Sequence, residues 1–64
     1  MTLTLDPNLS DPDGVYCDLL AAHEGLSEAE SHAFNARLIL ILGNHIGDRE
    51  VLKQALDAAA RPDR

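Results

Sequence analysis

Apolar positions change their spacing along the chain, and the changes mark out an arm and three helices. In the first stretch, Thr2-Leu3-Thr4-Leu5 alternates as a strand does, but one short strand with no partner does not make a sheet. Pro7 and Pro12 hold the residues before them extended, and Asn8 and Ser10 add turn character. Residues 1–11 therefore read as an extended N-terminal arm. It is either a mobile tail or a segment that docks through Leu3, Leu5 and Leu9.

From Pro12 the spacing becomes helical. Val15, Leu19, Ala22 and Leu26 follow a 4-3-4 rhythm, with Tyr16, Leu20 and His23 on the flanks. Asp11 is the expected N-cap, Pro12 suits the first helical position, and Asp13 places negative charge near the positive dipole end. Gly25 is the expected stop, which bounds a first helix at about 12–24.

The second helix carries the strongest start signal. Ser27-Glu-Ala-Glu30 is a capping box, in which the Ser27 hydroxyl takes a backbone N–H and Glu30 reaches back to the cap. Leu26 just before it is placed for a staple, for which Ser31 is a poor hydrophobic partner. Leu38-Ile-Leu-Ile-Leu42 alone would suit a buried strand, but the cap, the flanking helix formers and the length favour a helix over 28–46. Gly47 is its terminator. Asp48 then caps a third helix over 49–60, whose apolar side is Val51, Leu52, Ala55, Leu56 and Ala59. Residues 61–64 read as a frayed end. The fold class is all-α: a small three-helix bundle, or a helical hairpin with a third helix folded across it. Residues 12–60 form its single helical domain.

Stepping along the second helix by about 100° per residue separates its side chains into stripes. Phe34, Leu38, Ile41, Leu42 and Ile46 are the large stripe, with Ile39 at its border. Ala29, Ala33, Ala36, Leu40, Gly43 and Gly47 form a second, mostly small stripe. Glu30, Arg37 and Asn44, seven residues apart, divide the two on one side. A helix that is apolar on two faces must be covered on both. Either the first and third helices share the two faces, or one face meets another subunit. Ala29, Ala33, Ala36, Arg37, Leu40, Gly43 and Asn44 are the candidate interface, and Asp11, Ser27, Glu30, Gly47 and Asp48 the structural caps.

Composition sharpens this picture. Sixty-four residues with one cysteine form no intramolecular disulfide and only a thin core, so oligomerisation or a partner subunit is expected. Five basic residues against eleven acidic ones give a formal charge of −6, which disfavours nucleic acid. Tyr16 and Phe34 are the only aromatics, so burial must be aliphatic. The start lacks a basic n-region, and the longest apolar run falls far short of the ~20 residues that span a bilayer. A cytoplasmic location with no membrane contact is the expectation.

Candidate chemistry is sparse. His32 and His45 are thirteen residues apart on one helix, about 20 Å along its axis, and cannot share an ion. His23 meets His45 only if the ends of the first two helices coincide, which an antiparallel pair prevents. No metal site is expected, and no role is assigned to the three histidines, although the helix dipole favours His45 where it stands. Asp11, Asp13 and Gly14 fail as a calcium loop, because Leu9 and Leu20 would then occupy ligand positions. Cys17 has no histidine or cation beside it in sequence and reads as an unreactive thiol. No phosphate-binding loop is present, and a pocket of ~300 Å³ is hard to enclose in so short a chain. The chain is therefore expected to be no enzyme and to carry no cofactor.

The motifs Ala22-His-Glu-Gly-Leu26, Asn35-Ala-Arg-Leu38 and Asn44-His-Ile-Gly-Asp48 resemble a family of short proteobacterial proteins catalogued as a domain of unknown function. The likeness runs from about Asp11 to Ala59, leaving out the arm and the last residues. It implies a genomic setting beside genes for FAD-dependent aromatic hydroxylases and enzymes of aromatic-ring catabolism. What it implies for function is a small accessory subunit of a flavin monooxygenase, and it offers no catalytic motif. Asn35, Arg37, Asn44, His45 and Asp48 would then orient hydrogen bonds at an interface, or else serve as caps and bonds within the bundle. The alternative reading is a homo-oligomeric structural protein that uses the same apolar face for itself. A small-molecule or metal carrier formed at a dimer interface is a weaker third.

Overall fold

The computed structural model describes residues 2–61. Three helices follow the arm: α1 (Pro12–His23), α2 (Glu28–Ile46) and α3 (Arg49–Ala59). No strand occurs among the described residues, and none of their helices is long and apolar enough to cross a membrane. The fold is all-α. The ends of α1 and α3 fall one residue short of the 24 and 60 expected, within the usual fraying of a last turn. The frayed end expected at 61–64 lies, from Pro62 on, outside the described residues, as does Met1 of the arm.

Local chemistry explains each boundary. The Gly14 N–H donates to Asp11 Oδ1 at 3.0 Å, with Pro12 at the first position of α1, where its missing N–H leaves nothing unpaired. Gly25 turns the chain out of α1 with φ +79°, a conformation that side-chain-bearing residues resist. The capping box of α2 is complete. The Glu30 N–H donates to Ser27 Oγ at 3.1 Å, and the Ser27 N–H donates to Glu30 Oε1 at 2.9 Å. Gly47 ends α2 at φ +70°, its N–H donating to the Gly43 carbonyl at 2.9 Å. Asp48 Oδ1 then accepts from the Glu50 and Val51 N–H groups, at 2.9 and 3.3 Å, to open α3.

The three helices form the small bundle expected, and its core is thin. Val51, at 6 % exposure, is the sole buried residue among those described, and α1 and α2 contain none. The predicted inner face of α1 is open, with Val15 and Leu19 both more than a third exposed. Leu56 belongs to the predicted apolar side of α3 but stands 67 % in solvent, because α3 meets α2 near their shared turn and then diverges from it. The Cα radius of gyration is 13.3 Å, against about 11 Å for a compact chain of this length.

The arm is tied down at one end. The Leu3 N–H donates to Gln54 Oε1 of α3 at 3.0 Å and Leu3 is half-buried, whereas Leu5 and Leu9 remain exposed. Of the three leucines considered for docking, only Leu3 docks.

Candidate interaction surfaces

Helix α2 is the axis on which both surfaces are built. Phe34 and Gly43 are nine residues apart, which at about 100° per residue puts them on opposite sides of the helix. On the Phe34 side lies the end of α1. His23 Nδ1 is 3.1 Å from Ser31 Oγ, and its ring meets Phe34 edge-to-face with centroids 4.8 Å apart. Leu52 of α3 covers the Gly43 side. A Cβ built on Gly43 would stand 3.6 Å from Leu52 Cδ1 and 3.7 Å from Cδ2. The small stripe thus lets α3 approach at one point.

Beyond that point the two helices splay. They leave an open apolar groove of about 530 Å³, with Ile39, Leu40 and Ile46 on the α2 wall and Leu52, Leu56 and Ala59 on the α3 wall. Leu40 is 73 % exposed and Ile39 64 %. No charged side chain lines this groove, and Asn44 is the one polar residue in its wall. A second, smaller hollow of about 240 Å³ lies on the Phe34 side, formed by Phe34, Arg37, Leu38 and Ile41. Ile41 is 64 % exposed there. Tyr16 and Leu20, one turn apart on α1, are exposed as well.

The candidate interface residues therefore separate. Leu40, Gly43 and Asn44 share the groove with α3, Arg37 belongs to the second hollow, and Ala29, Ala33 and Ala36 are exposed and line neither. Sequence reasoning missed the α3 wall of the groove and the part that Ile39, Leu42 and Ile46 of the large stripe play in it. The only available signal was the length of α3, too short to lie along the whole of α2.

Polar groups add little chemistry. His32 Nε2 is 3.8 Å from Glu28 Oε1 across one helical turn, and both side chains are largely in solvent, where such a pair contributes little. Glu30 is held below the usual carboxylate range by the backbone N–H and then the hydroxyl of Ser27. Among the described residues no three His, Cys, Asp or Glu side chains come together as a metal would need. Cys17 is exposed.

A family model described as "Protein of unknown function (DUF2783)" matches residues 3–61, and the chain belongs to that family. The match reaches into the arm as far as Leu3 and past Ala59, correcting the narrower span from Asp11 read from the motifs. No curated protein and no solved structure matches the chain.

Proposed function

We propose that this DUF2783 protein is a non-catalytic accessory subunit that works by covering its apolar surface on other protein chains. The observation that carries the reading is the run Ile39 to Leu42, four consecutive large aliphatic residues each at least half exposed. At about 100° per residue these four side chains reach around most of the helix, and large aliphatic residues this open on both its sides mark interaction surfaces rather than the scattered apolar residues of an ordinary surface.

The expected partner, from the family resemblance, is a cytoplasmic flavin-dependent aromatic hydroxylase of aromatic-ring catabolism. The second hollow suits that role. It sets Arg37 against Phe34, Leu38 and Ile41, combining an aromatic ring and an arginine, residue types enriched at the centres of protein interfaces. The subunit would supply binding surface and leave the reaction to the enzyme.

Co-expression of the tagged chain with a flavin-dependent aromatic hydroxylase from the gene neighbourhood that the resemblance implies tests the reading. Retention of the enzyme at micromolar concentration, weakened at least tenfold by Ile41→Lys, is expected. If the enzyme is never retained, the accessory role is wrong.

A further inference from the structure

We infer that the groove between α2 and α3 is filled by a second copy of this chain, so that the accessory unit is a two-fold dimer. The hydroxylase then has the Phe34 side left to it. This assignment goes beyond the accessory role and stands without it.

Area supplies the first argument. The chain exposes 5695 Å², whereas a compact monomer of 6.9 kDa exposes about 4,000 Å². The excess is roughly 1,700 Å² per chain, part of it in the extended arm. The groove holds only a part of this excess: Ile39, Leu40, Leu42, Ile46 and Leu56 are 40–73 % exposed, roughly 600 Å² per chain, so two copies bury on the order of 1,200 Å², the lower end of specific interfaces.

Shape supplies the second. A two-fold interface must be self-complementary, because the same patch faces itself. This groove has projecting rims, Leu40 on α2 and Leu56 on α3, and the small residues Ala55 and Ala59 on its α3 wall, while Gly43 is already covered by Leu52. Two such V-shaped surfaces can interlock, the leucine rim of each seated over the small residues of the other. A partner with a flat apolar face would leave that space empty.

Charge is the third. Each chain is formally −6, so two copies repel unless their acidic groups stay apart. The groove lining holds no charged side chain: Glu28 and Glu30 are at the other end of α2 from Ile46, and Glu50 and Asp57 of α3 are exposed outside the lining. Docking through the groove strands no ion in an apolar interface.

The test uses the full chain alone, by sedimentation equilibrium from about 1 to 100 µM with helicity followed in parallel. A helical species of twice the 6.9 kDa chain mass is expected, with a melting temperature that rises with concentration. A folded monomer throughout that range overturns the assignment. So does an unfolded or polydisperse chain, since a second copy would then be insufficient. Leu40→Lys should weaken dimerisation at least 100-fold, Leu40→Met should preserve it, and Tyr16→Lys on α1 should leave the mass unchanged. If Leu40→Lys loses helicity together with the dimer, the concentration-dependent melting of the unsubstituted chain still supports the assignment. A Leu40→Lys dimer as tight as the original overturns it, because association would then use another face. A dimer that retains no hydroxylase refutes the accessory role alone, and a hydroxylase-binding monomer refutes the dimer alone.

Discussion

Substituting Gly43 with alanine should stabilise the protein, although the residue sits where two helices meet. Gly43 is in the interior of α2, three residues before its last, and its φ is an ordinary helical one. Glycine there is about 1 kcal/mol less favourable than alanine through backbone entropy alone. The added methyl would meet the two Leu52 methyls at 3.6 and 3.7 Å, ordinary van der Waals contact that needs no movement. Both effects have the same sign, so the gain should be about 1 kcal/mol. In a domain this small that corresponds to a melting-temperature rise of ~4–8 °C. Circular dichroism at 222 nm during thermal and urea unfolding measures it. Both proteins must be at one concentration, because the proposed self-association would shift the midpoint. Gly47, four residues on, provides the opposite case. Its φ of +70° strains any L side chain, and Gly47→Ala should destabilise by ~1–2 kcal/mol. A destabilised Gly43→Ala protein would refute the reasoning, because it would mean that something closer than Leu52 occupies that side of the helix.

Ser27→Ala removes the acceptor of the Glu30 N–H and should lower stability by ~0.5–2 kcal/mol in urea unfolding, with the loss of helix concentrated at the start of α2. The pH dependence of Glu30 follows from its lowered pKa. A carboxylate whose folded pKa is depressed stabilises the fold above the ordinary carboxylate range, and that contribution disappears as pH falls through the folded value. The stability difference between the protein and Glu30→Gln should therefore shrink on acidification, and growth of that difference would contradict the assignment of its cause. Gln54→Ala should free the Leu3 amide, raising its hydrogen-exchange rate while changing global stability by less than ~1 kcal/mol.

The helices were legible in the sequence because their ends are set by local chemistry. Asp11, Ser27 with Glu30, Gly47 and Asp48 act on backbone groups within three or four residues, so their pattern is sufficient. The two apolar stripes of α2 were legible for the same reason. Which helix meets which stripe was not, since that depends on the direction in which each turn releases the chain. Leu56 shows the limit: its spacing assigns it to the inner side of α3, yet the divergence of α3 from α2 leaves it in solvent. The contact of His23 with Ser31 and Phe34 was equally hidden, because it joins residues eight and eleven apart across a turn.

Element lengths alone explain why the candidate surfaces fall where they do. At about 1.5 Å per residue, the 19 residues of α2 extend about 28 Å, while α1 with 12 and α3 with 11 reach only about 18 and 17 Å. Short turns attach α1 to the beginning of α2 and α3 to its end, and the two lie on opposite sides of it. Even folded back in full, each would cover less than two thirds of its side. The uncovered parts are then the far end on the α1 side and the near end on the α3 side. Ile41 and His45 are exposed at the first, and Ala29 and Ala33 at the second. Because α3 also splays, the shortage grows towards Leu40 and Leu56, where the groove opens. No rotamer change within one chain closes such a gap, since the missing material is a helix of about two turns on each side. The apolar area that the three helices leave open is therefore concentrated on two surfaces on opposite sides of α2, the faces on which the proposed partners would sit.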